Sequence, residues 1–130
     1  MAISGDTRKF KTLIVEDNGV FRQTFKETLQ NRFPSMVIQE AAEGSEILQK
    51  MDAFRPEVIF MDIRLPGANG LELTRKIMAS NPGTLVIILT DYDIPEYRKA
   101  AVQSGAGGFF AKDSLDWGQL EAVIKSQISR

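Results

Sequence analysis

The sequence of 130 residues contains no cysteine and no histidine. Without cysteine, a disulfide scaffold, an iron–sulfur site and thiol catalysis are excluded, and the composition fits a reducing compartment. Without histidine, serine and cysteine triads lack their usual base, and zinc and most other transition-metal sites lack their commonest ligands. The chain also cannot carry a phosphohistidine. Function classes that depend on either residue are therefore excluded.

A strong charge of one sign and long apolar runs are also absent. Sixteen lysines and arginines balance seventeen acidic residues to a net charge of -1, so no overall field attracts nucleic acid or anionic lipid. The first ten residues hold no apolar run of signal-peptide length, and no segment approaches the roughly 18 apolar residues of a membrane span. We expect a cytoplasmic protein with no membrane partner, and DNA binding by this chain alone is disfavoured.

The composition that remains, 43% hydrophobic and 25% charged, is typical of one globular domain. Short apolar runs rich in β-branched or aromatic residues predict five strands. The predicted strands are Phe10–Val15, Met36–Ala41, Val58–Met61, Leu85–Leu89 and Gly108–Ala111. The second run alternates apolar and polar residues, which indicates an edge strand.

Helix-length segments separate the predicted strands. Apolar residues recur at helical spacing in the first and last segments, at Phe21, Phe25 and Leu29 and at Trp117, Leu120, Ile124 and Ile128. Asn18 is a suitable N-cap for the first helix, residues 93–96 resemble a capping box for the fourth, and Gly105 is a helix stop.

Alternating strands and helices predict a parallel sheet with helices on both faces. We expect an α/β, flavodoxin-like fold: a single three-layer (βα)5 domain with a five-stranded parallel sheet in the order 2-1-3-4-5. The domain would span residues 9–130, and residues 1–8 would form a disordered N-terminal segment.

Charged and hydroxyl side chains follow the predicted strands at the edge where such folds bind ligands. Glu16 and Asp17 follow the first strand, Asp62 the third, Thr90 the fourth and Lys112 the fifth. Strands one and three are neighbours about 4.8 Å apart, so their three acids meet, and the long lysine side chain can reach them from the fifth strand.

Three carboxylates at one edge repel each other, by ~4 kcal/mol per pair at 4 Å and an effective dielectric near 20. Either a raised pKa on one carboxyl or a divalent cation offsets this repulsion, and a set of oxygen ligands suits Mg²⁺. A cation site beside a hydroxyl and a lysine is suited to phosphoryl transfer, for which the central Asp62 is the natural nucleophile.

Several motifs in this order resemble the receiver domain of bacterial two-component response regulators. They are LIVEDN at residues 13–18, VIFMDIRLPG at 58–67 with Asn69-Gly70, IILT at 87–90, and GAGGFFAK at 105–112. Each motif alone is weak, but together they cover nearly the whole chain.

The resemblance implies that Asp62 accepts a phosphoryl group from a sensor histidine kinase, and it implies a magnesium ion. Asp17, Asp62 and the main-chain carbonyl of Arg64 would coordinate Mg²⁺, with Glu16 reaching the ion through water. Thr90 and Lys112 would contact the phosphoryl group, and Phe109 matches the aromatic switch position. Such a domain is a signalling module, not an enzyme, and its only chemistry is Mg²⁺-dependent self-phosphorylation and dephosphorylation.

The output implied by the resemblance lies on the surface of the fourth helix, fifth strand and fifth helix, where a homodimer would also form. Lys112 followed by Asp113-Ser114 resembles the branch of regulators that carry a helix-turn-helix domain. We therefore expect this chain to be a piece of a transcription regulator that contacts DNA only through an output domain absent here.

Other functions stay open at this point. Asp91 follows Thr90 where the family has a small residue, and an inward-pointing carboxylate there would favour a receiver-like interaction module that takes no phosphate. A flavodoxin-type cofactor protein would need a glycine-rich loop where Glu16-Asp17 stands. A phospho-aspartate hydrolase would need an aspartate where Arg64 stands.

Overall fold

Five parallel strands form the central sheet of the computed structural model, which describes residues 9–129. The main elements in chain order are β1 (Phe10–Val15), α1 (Gly19–Arg32), β2 (Met36–Ala41), α2 (Ile47–Phe54), β3 (Val58–Asp62), α3 (Gly70–Ser80), β4 (Leu85–Thr90), α4 (Pro95–Ser104), β5 (Gly108–Ala111) and α5 (Trp117–Ile128). A two-stranded hairpin of residues 64–69 follows β3. The predicted disordered segment, residues 1–8, lies outside the described residues.

The strand order is β2-β1-β3-β4-β5, so the predicted flavodoxin-like topology is confirmed. In register, Val15 pairs with Met61, Asp62 with Leu89, and Thr90 with Ala111. The carboxyl ends of the four strands β1, β3, β4 and β5 therefore lie at one edge of the sheet. The predicted edge strand, β2, is indeed at the edge.

The alternation of side chains along each strand builds two hydrophobic layers. Leu13 on β1 packs among residues of α2, α3 and α4, whereas the next residue, Ile14, packs among residues of α1 and α5. The predicted apolar positions of the first and last helices belong to the second layer, where Leu29 and Leu120 are fully buried. The sheet is thus sandwiched between two helical layers, as expected.

The helix ends confirm two predictions and correct a third. The side chain of Asn18 accepts a hydrogen bond from the Phe21 N–H at 3.1 Å, and Gly105 ends α4 with a left-handed φ of 97°. The capping box predicted at residues 93–96 is wrong, because α4 begins at Pro95 without a side-chain cap. The Asp93 carboxylate instead accepts two hydrogen bonds from Arg98, which offers a bidentate, charge-assisted partner.

Two strands extend one residue further than predicted. Asp62 and Thr90, expected just beyond their strands, are the last residues of β3 and β4, because both still pair with the neighbouring strand. Their backbones are therefore held by the sheet. Among the described residues, no helix is both long enough and apolar enough to cross a bilayer.

Candidate phosphoacceptor site

An acidic cluster lies at the carboxyl ends of β1 and β3. Glu16 and Asp17 follow β1 and Asp62 ends β3, and one carboxylate oxygen from each lies within 4.8 Å of the other two. Glu16 and Asp62 are buried, with 2% and 7% of their surfaces exposed, whereas Asp17 faces solvent. The structure thus brings together the three acids that the strand order predicted.

Lys112 reaches this cluster from the end of β5. Its Nζ lies 2.5 Å from Oε1 of Glu16 and 3.1 Å from Oδ2 of Asp62, and only 7% of its side chain is exposed. The ammonium also lies over the face of the Phe21 ring, 5.0 Å from its centroid. The predicted bridging of two strands by a lysine is therefore present in the structure.

Burial and the neighbouring charges both shift the pKa values of the site. Burial, together with the charge of Asp62, raises the pKa of Glu16 to about 6, although hydrogen bonds from Lys112 and the Asn18 N–H oppose the rise. For Lys112, burial alone would lower the pKa. The hydrogen bond to Glu16 and the charge of Asp62 outweigh burial and raise the pKa of Lys112 above its usual value.

The donor set fits a divalent cation. The three carboxylates have a single ammonium beside them, which contacts two of the three, so the cluster keeps an uncompensated negative charge, and its ligand atoms are the hard oxygens that Mg²⁺ prefers. Within residues 9–129, the Asp17 carboxylate makes no hydrogen bond or ion pair, which leaves both of its oxygens free for a cation. Glu16, Asp17 and Asp62 are thus the residues that could hold the ion.

An open cavity of about 260 Å³ adjoins the cluster and is large enough for a phosphoryl group. It is lined by the three acids and by Asn18, Arg64, Asp91, Tyr92 and Lys112. Asp91 stands at its mouth, with Oδ2 4.0 Å from Nζ of Lys112 and 67% of its side chain exposed. The carboxylate that departs from the family pattern therefore faces the pocket.

Three other predicted residues differ in their positions relative to the cavity. Thr90 is buried at the end of β4 and does not line the cavity, and its hydroxyl accepts a hydrogen bond from the Tyr92 N–H at 3.1 Å. Phe109 is half-buried against the α4 side of the sheet, with the Arg98 guanidinium 4.7 Å from its ring. Arg64 extends its exposed guanidinium to 4.1 Å from the Tyr92 ring.

Some residues that shape the site were not predicted for this role. The Ile63 N–H donates to Oδ1 of Asp62 at 2.8 Å, and Arg22 donates to the Glu16 carbonyl at 2.5 Å. Gly70 approaches so closely that a Cβ there would lie 1.9 Å from the Asp62 carbonyl oxygen. The Asn69-Gly70 motif signalled that glycine, whereas Arg22 carries no sequence signal, because helix residues of this type usually face solvent.

Comparisons with known proteins show similarity over most of the chain. The family model described as the response regulator receiver domain matches residues 12–125. The oxygen regulatory protein NreC of Staphylococcus carnosus is 37% identical over 87% of this chain and 52% of its own length. An uncharacterized transcriptional regulatory protein of Bacillus subtilis, YxjL, is 30% identical over 88% of this chain and 53% of its own length.

A solved structure gives the same result for the fold. The crystal structure of a two-component response regulator of the LuxR family from Aurantimonas sp. SI85-9A1 superposes with a TM-score of 0.81 at 26% identity, over 92% of this chain and 84% of that one. The chain spans about half the length of the two curated relatives above.

Proposed function

We propose, from the premise that this chain belongs to the response regulator receiver domain family, that it is a phosphorylation-dependent switch with Asp62 as the phosphoacceptor. Receiver domains are signalling domains, and the donor here would be a sensor histidine kinase. The observation that carries the proposal is the position of Asp62 beside both Lys112 and the other two acids, at the wall of a cavity of phosphoryl size.

In the proposed reaction, a carboxylate oxygen of Asp62 attacks the phosphorus of a phosphohistidine. The new O–P bond forms as the N–P bond breaks, and the imidazole nitrogen keeps the electron pair and takes a proton from water. Hydrogen bonds from the Ile63 N–H and the Lys112 ammonium hold the carboxylate in place. Lys112 also balances charge that accumulates on the phosphoryl oxygens.

Asp17 and Asp62 would hold the magnesium ion, together with the Arg64 carbonyl and with Glu16 through water. A bound Mg²⁺ supplies further charge neutralisation at the phosphoryl oxygens. This assignment is supported by the excess of carboxylates over ammonium groups and by the Asp17 carboxylate, which has no partner among the described residues.

The proposed output uses Thr90 and Phe109. Thr90 would turn its hydroxyl toward the phosphoryl group, giving up the hydrogen bond from Tyr92, and Phe109 would move inward beneath α4. The population shift would remodel the surface formed by α4, β5 and α5, where a homodimer could assemble. Control of transcription, through a DNA-binding domain elsewhere in a longer cytoplasmic protein, is the output that the named relatives suggest.

Labelling with a small phosphodonor tests the proposal. The chain is incubated with acetyl phosphate and Mg²⁺, and intact mass should reveal one phosphoryl group per chain. Asp62→Asn should remove the label, whereas the matched control Asp113→Asn, an exposed acid next to Lys112, should keep it. Retained labelling of Asp62→Asn would contradict the assignment of the phosphoacceptor.

A second candidate function, a receiver-like module that binds partners without phosphate, is favoured by one observation. Asp91 places a fourth carboxylate at the mouth of the cavity, 4.0 Å from the ammonium that would bind the phosphoryl group. If this carboxylate excludes phosphate, the wild-type chain will stay unlabelled and Asp91→Ala will become labelled. The same mass measurement therefore separates the two functions.

A further inference from the structure

Arg22, on the second turn of α1, joins three parts of the fold. Its Nη1 donates a hydrogen bond to the main-chain carbonyl of Glu16 at 2.5 Å, and its Nε donates to Oε1 of Glu40 on β2 at 2.9 Å. The second Glu40 oxygen binds Nζ of Lys26, one helical turn further along α1, at 2.8 Å. We name Arg22, Lys26 and Glu40 the α1–β2 clamp.

The contacts of the clamp are partly shielded from solvent, and its carboxylate is ionised. The side chains of its three members are between 22% and 33% exposed, so solvent screens their charges only partly. Hydrogen bonds from Lys26 and Arg22 lower the pKa of Glu40, so its carboxylate stays ionised at neutral pH. The Arg22 guanidinium is planar and its N–H donors point in fixed directions. It can therefore donate hydrogen bonds to Glu40 and to the Glu16 carbonyl at the same time.

The clamp acts on the peptide that leads to Asp17. The Glu16 N–H donates to the Ala41 carbonyl at 2.9 Å and the Glu16 carbonyl accepts from Arg22, so the backbone of Glu16 is held on both sides. A peptide unit is planar, and fixing the Glu16 carbonyl therefore also fixes the nitrogen of Asp17. The Asp17 carboxylate itself has no partner within residues 9–129, so no side-chain contact holds it and its starting point is set by the backbone.

We propose that Arg22 is a positioning residue for cation binding: it holds the Glu16 carbonyl and thereby aims the Asp17 carboxylate into the acidic cluster. The inference rests on the proposed function, in which Asp17 is a ligand of Mg²⁺. It extends that function to a side chain that itself lies outside the cavity lining.

The charge of Arg22 and its proposed positioning role predict opposite changes in Mg²⁺ affinity when Arg22 is removed. Arg22 is a cation close to an acidic cluster, so its removal would strengthen Mg²⁺ binding if only its charge mattered. If Arg22 aims Asp17, its removal weakens Mg²⁺ binding in spite of the charge effect. Loss of a residue that orients a metal ligand commonly costs about tenfold or more in affinity.

The test is calorimetric titration of the folded chain with Mg²⁺. Arg22→Met, which keeps the aliphatic stem but loses both hydrogen bonds, should raise the Kd for Mg²⁺ about tenfold. Arg22→Lys keeps the charge and loses the fork, so it should also weaken binding. Lys26→Met is the matched control, since it removes a cation from the same clamp without touching Glu16, and its Kd should stay the same or fall.

A kinetic readout separates positioning from general damage. Labelling by acetyl phosphate should need more Mg²⁺ in Arg22→Met, while the rate at saturating Mg²⁺ returns to within about twofold of the wild type. Equal or tighter Mg²⁺ binding by the Arg22 variants would overturn the inference. If the wild type itself binds no Mg²⁺, the proposed function fails instead. Circular dichroism confirms folding, and Arg22→Lys provides the test if Arg22→Met does not fold.

Discussion

The ammonium of Lys112 lies 3.1 Å from Oδ2 of Asp62, although fifty residues separate the two in the sequence. The contact joins the end of β5 to the end of β3, across the width of the intervening β4. Both side chains are at least nine-tenths buried, and Glu16 shares the same ammonium. A single lysine thus compensates charge from two strands.

Removal of this lysine should destabilise the metal-free protein. Lys112→Met leaves two buried carboxylates without their cation, and breaking a buried pair in this way costs about 3 kcal/mol of the free energy of unfolding. Added Mg²⁺ should narrow the difference in stability from the wild type, because the cluster without its ammonium binds the cation more tightly and is therefore stabilised more. Urea unfolding with and without Mg²⁺ measures both effects.

Lys125→Met is the control for that experiment. Its side chain is 67% exposed and its ammonium lies 3.9 Å from Glu121, so the loss of stability should stay below about 0.5 kcal/mol and be independent of Mg²⁺. Equal losses for the two variants would show that burial of the Lys112 ammonium contributes no extra stability.

Glu40 should make stability depend on pH in the acid range. Hydrogen bonds from Lys26 and Arg22 lower the pKa of Glu40 in the folded state below its usual 4.5. Its contribution is therefore present above pH 4.5 and is lost as the pH falls through the lowered value. The stability difference between wild type and Glu40→Gln, from unfolding at successive pH values, should shrink below pH 4.5; a difference that grows there would contradict the clamp.

A buried hydroxyl on β1 should be replaceable with a gain in stability. Thr12 is fully buried, and its Oγ1 finds no hydrogen-bond partner among residues 9–129. Thr12→Val removes this unpaired group at nearly constant shape, which should raise the free energy of unfolding by about 1 kcal/mol. Thr74→Val is the matched control with the opposite sign, since its buried hydroxyl donates to the Gly70 carbonyl at 2.7 Å and its loss should cost about 1 kcal/mol.

Asp91 should slow labelling by anionic donors. Its carboxylate lines the cavity but is 67% exposed, so its repulsion of an incoming phosphate is screened. Asp91→Asn should speed labelling about two- to fivefold, the effect of a screened charge contact of 0.4–1 kcal/mol. The labelling rate should increase more with acetyl phosphate, a dianion at neutral pH, than with the less charged phosphoramidate. An equal increase with both donors would show that the effect is not electrostatic.

The sequence predicts the sheet and its strand order, because the apolar pattern of each strand and helix is local. It also predicts the site, because the carboxyl ends of parallel strands meet at one edge of the sheet. The residues at those ends are Glu16, Asp17, Asp62 and Lys112. The capping box predicted at residues 93–96 is wrong, because Arg98 binds the Asp93 carboxylate that would have capped the helix. The sequence also gives no sign of the α1–β2 clamp, in which Arg22 contacts Glu40. That contact joins a helix to a neighbouring strand, and its partners look like ordinary surface charges until the fold brings them together.

The site of phosphorylation is the most direct test of the whole account. Borohydride reduces an acyl phosphate to an alcohol, so a phosphorylated aspartate becomes homoserine and can be located by peptide mass mapping. After incubation of the wild-type chain with acetyl phosphate and Mg²⁺, homoserine is expected at Asp62 and at no other acid. Homoserine at Asp17 or Asp91, or the absence of any acyl phosphate, would contradict it.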